Sequence, residues 1–273
     1  MQDYHSIDDA LTRSALSLFL DNPQDFYLQY VAKTVARKEP TARMELGTLL
    51  HSILLEKIDP FEAIAIYPET CLKSDGGLNP KPVAHFREDN PDSVCLKVEA
   101  AERVTMAVSA FRHSAIGPIL AGNYHFEQAF YGDVSGVRIK CKPDIAGAVN
   151  DRAVCYDLKV VEDDFDGLFH RTSKRLKYWL QDAHYSAIMS QVYEGLPTEF
   201  AFFTLRMTPP FRVRMYSYDI LSRESAATKH RAGLAKYADY LSRDYWPDEY
   251  DGTLVLDPWD ANADIEGNTD GDI

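Results

Sequence analysis

The sequence predicts an α/β domain: a mixed central sheet flanked by helices, with an α-helical addition at the N-terminal side. Three observations predict it. Apolar residues recur at helical spacing through much of the first 113 residues, three short strand-like segments succeed one another between His125 and Val161, and the remainder reads helix, two strands, helix. With 45% hydrophobic residues in 273, the chain can bury a substantial core and does not have the composition of a disordered segment.

Thr12 to Val31 carries apolar groups at helical spacing interrupted at Asn22-Pro23, which predicts two short helices joined by a turn. Ala42–Leu55 predicts a helix with Leu46, Leu49, Leu50, Ile53 and Leu54 as its buried stripe, and Glu62–Tyr67 reads as extended. Between Pro68 and Ser93 the chain is rich in Pro, Gly, Asn and Asp without a clear period, and reads as a long functional or mobile loop. A helix is predicted from about Leu96 to His113. Strands are predicted at His125–Gly132, Val137–Pro143 and Ala153–Val161, with turn signals at Asp133, Ser135-Gly136 and Asn150-Asp151. A long helix from about Ser173 to Tyr193, ending at Gly195, precedes strands Glu199–Met207 and Arg212–Tyr218 and a last helix from Ile220 to about Arg243.

The formal net charge is −13, and nine acidic residues with no Lys or Arg lie between Pro247 and Ile273, so the rest of the chain carries only −4. Such a body can hold a local basic groove, and acidic metal ligands add negative charge of their own; charge does not exclude a nucleic-acid partner. No stretch approaches the roughly 20 apolar residues a membrane span needs. The opening MQDYHSIDDALTRS lacks the basic-then-apolar order of a secretory signal, so a cytoplasmic location is expected. Cys71, Cys95, Cys141 and Cys155 form no CxxC pair, which speaks against a zinc or iron–sulfur site; Cys141 and Cys155 read as buried free thiols.

The chemistry concentrates in KCKPDIAGAVNDRAVCYDLKVV. Asp144 is read as ending one strand, directly after Pro143. Asp157 and Lys159 lie two apart on the next strand and so point to one face. The turn between them brings two carboxylates and an ammonium together. Two close carboxylates repel unless a cation lies between them, and hard oxygen donors suit Mg²⁺ or Mn²⁺. Such an ion polarises a phosphodiester and lowers the pKa of a bound water, and a neighbouring lysine can position that water and offset transition-state charge. The pattern therefore points to phosphodiester hydrolysis; a turn aspartate beside a surface strand pair would give the same letters. Glu127, in HFEQAFYGD, could reach the same cluster or be an exposed strand glutamate. Gln181 and Tyr185 share a helix face. Arg171, Lys174, Arg175 and Lys177 form a basic cluster suited to backbone phosphates, or a solvated helix end. In GTLLH, Gly47 could admit a neighbouring backbone and His51, one turn on, could face the metal.

Taken together, these motifs resemble the RecB-like branch of the PD-(D/E)XK nucleases, most closely the RecE-type exonucleases (exonuclease VIII). The likeness runs to about Trp246: YHSIDDALTRSALSLFLDNPQDFY resembles the start of that nuclease domain, GTLLHSILLE its histidine motif, and KPD, DLK and QDAHY its metal, (D/E)XK and Gln-x-x-x-Tyr motifs. The resemblance implies that His51, Asp144, Asp157 and the Leu158 carbonyl bind Mg²⁺, with Mn²⁺ as a substitute. It implies that Glu127 supports a second metal or its water, that Lys159 activates or orients the nucleophile, and that Gln181 and Tyr185 hold the motif and the DNA end. It further implies 5′→3′ digestion of linear duplex DNA, leaving a 3′ single strand for an annealing protein, by a homo-oligomeric ring, a tetramer by analogy. The expected organisation is one nuclease domain over residues 1–246, helical to about 122 and catalytic from about 123, then a flexible acidic tail, 247–273. An endonuclease, a single-strand-specific nuclease on the same site, and a non-catalytic DNA-binding scaffold remain alternatives.

Overall fold

A short parallel contact starts the fold. In the computed structural model, which describes residues 10–37, 42–161 and 167–248, strand β1 (Leu11–Thr12) delivers Thr12 as the cap of helix α1 (Arg13–Asp21), its hydroxyl accepting the Ala15 N–H at 3.2 Å. Asn22 ends α1 and caps α2 (Pro23–Phe26), where Pro23 fills a first-turn position that needs no N–H. The predicted interruption at Asn22-Pro23 is thus present, and the chain continues into a π-helical turn, Tyr27–Val31.

Helix α3 (Ala42–Leu54) buries Leu49, Leu50, Ile53 and Leu54, with Leu46 partly covered. The predicted extended segment at Glu62–Tyr67 begins instead as a helical turn, α4 (Pro60–Ala63), capped by Asp59, before strand β2 (Ile64–Ile66). The expected long loop from Pro68 to Ser93 is likewise corrected. It contains helix α5 (Pro80–Asp89), whose prolines lie in its first turn, where a missing N–H costs nothing. Strand β3 (Val94–Leu96) pairs in parallel with β2, and α6 (Val98–His113) follows.

The expected run of three strands divides between two sheets. Strand β4 (His125–Phe126) is separated from β5 (Phe130–Val134), and β5 forms a hairpin with β6 (Val137–Cys141), whose other edge carries β1. A strand the sequence reading missed, β7 (Ile145–Val149), forms a second hairpin with β8 (Arg152–Val161) through Asn150-Asp151, both at positive φ. Asp144 therefore precedes a strand rather than ending one. Helix α7 (Leu168–Arg175) and helix α8 (Tyr178–Val192) replace the single long helix predicted, because Lys177 adopts φ 52° between them. Strands β9 (Thr198–Arg206) and β10 (Val213–Tyr216) and helix α9 (Ile220–Arg243) complete the chain.

The main sheet has the order β10-β9-β8-β7-β4, with β8 parallel to β9 and antiparallel to β7. It is a mixed sheet flanked by helices, as expected. Alternation along β8 divides the core. Ala153, Cys155 and Val161 face α1, α8 and α9 through Leu16, Phe19, Leu180, Ile188 and Leu234, while Val154, Tyr156 and Leu158 face α3 and α6 through Leu50, Ile53, Val104 and Phe111. Helix α1 is thus built into the core. No helix among the described residues is long and apolar enough to cross a membrane. The expected flexible tail lies, from residue 249 onward, outside the described residues.

Candidate metal centre

The site forms where β7 stops and β8 continues. The last β7–β8 pair is Ile145 with Tyr156, so Leu158 has no strand partner on that side. Its N–H and C=O still need partners in a buried setting. The N–H donates to Asp144 Oδ2 at 2.5 Å, and the carbonyl lies 3.0 Å from His51 Nε2 on α3. A sheet defect thus gathers an aspartate and a histidine on the unpaired backbone edge of Leu158.

Asp157 and Lys159 project from the α8 face of β8. Lys159 Nζ lies 2.6 Å from Asp157 Oδ2 and over the rings of Tyr178 and Phe202, 4.8 and 5.8 Å from their centroids. Burial opposes the lysine's charge, but Asp157 and Tyr178 outweigh it and hold the pKa above its ordinary value. The other oxygen of Asp157 accepts from the Gln181 amide on α8. Gln181 in turn accepts from Arg13 Nη2 at 3.3 Å, across a sequence separation of 168. Tyr185, one turn further along α8, is buried with its ring edge-on to Phe200 at 6.1 Å.

Glu127 occupies the break between β4 and β5 at φ 50°, its N–H donating to the Asp144 carbonyl at 3.2 Å. Its Oε1 lies 3.2 Å from His51 Nδ1, which is also 3.5 Å from Asp144 Oδ1. Its Oε2 takes the Lys142 ammonium at 2.7 Å. Burial acts to raise the Glu127 pKa, yet His51 and Lys142 bring it below the usual value. Burial also opposes a charge on His51, but Asp144 and Glu127 raise its pKa to about 9. Burial, reinforced by Asp157, lifts Asp144 to about 7. A buried carboxylate so displaced gains most from a nearby cation.

The donor set fits a hard divalent ion. Ligand atoms from His51, Glu127 and Asp144 lie within 4.8 Å of one another, and neighbouring ligands of one Mg²⁺ are about 3 Å apart when each bond is about 2.1 Å. The Leu158 carbonyl lies on the other ring nitrogen, 3.0 Å from His51 Nε2, whereas Glu127 and Asp144 face Nδ1. Asp157 lends negative charge, although both its oxygens are engaged by Lys159 and Gln181.

The basic cluster is less concentrated than its sequence suggests. Arg171, Lys174 and Arg175 are exposed on α7, whereas Lys177 is paired with Asp21 of α1. Gly47 does not admit a neighbouring backbone, since a Cβ there would meet nothing within 4 Å. Two contacting residues escaped the sequence reading. Lys142 stands in the KPD motif and could have been picked out there; nothing local points to Arg13. A cavity of about 660 Å³ lies elsewhere, on the flank of α8 and α9, lined by Ser186, Arg223 and His230.

The family model for a PDDEXK-like domain of unknown function (DUF3799) matches residues 14–253. A crystal structure of a protein from Eubacterium rectale, provisionally described as an exonuclease, superposes with a TM-score of 0.62 at 13% identity, covering 98% of each chain. At that identity the likeness speaks for the fold alone. The structure of SSO0001 aligns over 70% of this chain and 83% of its own at 15% identity, and its TM-score of 0.28 is too low to carry an argument. No curated protein matches significantly.

Proposed function

The chain belongs to the PDDEXK-like DUF3799 family, and from that premise we propose that it is a divalent-metal-dependent nuclease acting on DNA. One observation carries the reading: at the open end of the β7–β8 hairpin Asp144 takes the Leu158 N–H and faces His51, which also approaches the Leu158 carbonyl, while the adjoining Asp157 pairs with Lys159.

His51, Asp144 and Glu127 would hold the ion, and the motif resemblance adds Asp157 and the Leu158 carbonyl as ligands. Bound there, Mg²⁺ or Mn²⁺ supplies polarisation of the phosphodiester and acidification of a coordinated water. Lys159 orients the attacking water and offsets charge that develops on the phosphate oxygens. Gln181 fixes the Asp157 carboxylate, and Tyr185, one helical turn on, packs edge-on against Phe200. Arg171, Lys174 and Arg175 meet backbone phosphates at the approach to the site.

The finer reading is a RecE-type 5′→3′ exonuclease that digests linear duplex DNA to leave 3′ single strands. Motif resemblance supports it, and the Eubacterium rectale protein is provisionally described as an exonuclease. The same resemblance supports a homo-oligomeric ring and a strand-annealing partner. It also treats residues 1–246 as one nuclease domain. Free Cys71, Cys95, Cys141 and Cys155 suit a reducing, cytoplasmic compartment.

Linear duplex DNA labelled at either the 5′ or the 3′ end, with a closed circle alongside, tests this in Mg²⁺ and in EDTA. Rapid Mg²⁺-dependent release of the 5′ label with the circle intact is expected. Cutting of the circle assigns an endonuclease, and no cleavage with Mg²⁺ or Mn²⁺ overturns the nuclease reading.

A further inference from the structure

We propose that Lys142 does the work of a second cation, so that this centre binds one divalent ion rather than two; the inference rests on the metal-centre reading above. Both oxygens of Glu127 are engaged, Oε1 by His51 Nδ1 at 3.2 Å and Oε2 by Lys142 Nζ at 2.7 Å. A second ion seated on Glu127 has to displace an ammonium already in contact.

The lysine is held in place from both directions. Lys142 directly precedes Pro143, and the proline ring confines the preceding residue to extended backbone at the end of β6. Glu127 is fixed by its left-handed conformation and by its N–H bond to the Asp144 carbonyl at 3.2 Å. An ion pair between exposed groups contributes little. Here, however, the Glu127 side chain is only 17% exposed, against 37% for Lys142. Without Lys142, His51 alone would balance a largely buried carboxylate beside Asp144, and once His51 ligates as a neutral ring that carboxylate is costly.

Charge balance leads to the same count. Glu127, Asp144 and Asp157 supply three negative charges, and Lys142 and Lys159 return two positive ones. A ligating His51 is neutral, so the protein donor set with the ion in place carries −1 before the ion's own charge. One divalent ion brings it to +1, which a singly charged phosphodiester neutralises; two ions would leave an excess of +2 after the substrate bound. Removing the Lys142 charge takes the cluster to −2 and frees Glu127 Oε2, a hard oxygen suited to a second ion.

The test is Mn²⁺ binding to the full chain without DNA, by titration calorimetry and by electron paramagnetic resonance of free Mn²⁺. Wild type, Lys142→Met, Lys142→Arg and the double variant Lys142→Met/Glu127→Gln are compared, with circular dichroism to verify folding. The expected result is one ion per chain for wild type and Lys142→Arg, two for Lys142→Met, and one again for the double variant. Two ions on wild type, or one on a folded Lys142→Met, overturns the proposal while leaving the metal centre standing. No binding to wild type overturns the metal centre itself, and the proposal with it.

Discussion

Asp144 Oδ2 accepts the backbone N–H of Leu158 at 2.5 Å, so one carboxylate both closes a break in the sheet and faces the metal-binding cluster. The two tasks conflict. Burial and Asp157 lift the Asp144 pKa from 3.8 to about 7, which means the metal-free fold disfavours its charge. For an acid with a raised folded pKa, stability falls as pH rises from about 4 to about 7, since the unfolded chain ionises first. Asp144→Asn keeps an acceptor for Leu158 and discards the charge. In EDTA at pH 8 it is expected to melt above wild type, while Mg²⁺-dependent cleavage drops on the order of 10²–10³-fold. A melting temperature below wild type would show that the charge is not a burden.

Lys159 bears on turnover rather than on holding the ion, since it contacts Asp157 and two aromatic rings but none of His51, Glu127 or the Leu158 carbonyl in the contacts described. Lys159→Met is expected to cut the cleavage rate on the order of 10²–10³-fold. Mn²⁺ affinity, read by calorimetry, should change far less. Cleavage at wild-type rate would remove Lys159 from the site.

Gln181 orients Asp157 and is itself held by Arg13. Loss of such a supporting bond typically costs about 10–100-fold in activity or metal affinity. Gln181→Ala should lower kcat by roughly that factor with little change in KM for DNA. Arg13→Ala should lower it less, acting through the same amide. An Arg13→Ala defect confined to KM would instead make Arg13 a direct DNA contact.

His184 and His230 form a buried pair, Nδ1 to Nε2 at 3.1 Å, with His184 Nε2 3.1 Å from the Lys140 carbonyl. The carbonyl only accepts, so His184 donates from Nε2 and receives the His230 proton on Nδ1; both rings are neutral. Burial and the neighbouring His230 lower His184 to about 3, and burial with Arg231 lowers His230 to about 4, from 6.5. Both groups have depressed folded values, so their stabilisation is full above pH 6.5 and is lost as pH falls towards 4. Urea midpoints should decline across that window. His230→Gln should flatten the decline, and an unchanged slope would refute the assignment.

Arg223 makes three contacts within 3.3 Å to Asp182, a carboxylate with a side chain 3% exposed. Arg223→Met strands that charge and should cost about 3–5 kcal/mol in urea unfolding. A loss below about 1 kcal/mol would mean that water replaces the guanidinium there.

Several of these relationships could be read from local pattern. The alternation of Asp157 and Lys159 against Tyr156 and Leu158 puts the two polar groups on one face of β8 whatever the strand packs against. The Asn22-Pro23 break and the α9 boundaries follow from capping and proline chemistry. Other elements misled for equally local reasons. Ile145–Val149 is IAGAV, whose small residues carry weak strand preference, so local pattern hides β7 and sets Asp144 at the end of a strand, although it precedes one. Pro80 and Pro82 read as loop although they begin a helix. Lys177 gives no outward sign of its positive φ.

By itself, then, the sequence determined the fold class, the strand that carries Asp157 and Lys159, and the residue types suited to a hard cation. These follow from periodicity and from side-chain chemistry, which act over a few residues. Only the tertiary structure decided that β7 stops short of Leu158, that His51 comes within 3.2 Å of Glu127 across 76 residues, and that Lys142 and Arg13 join the network. Those contacts depend on how helices and strands far apart in the chain pack together, and the cost of burying unpaired charge and backbone groups selects the arrangement that satisfies them.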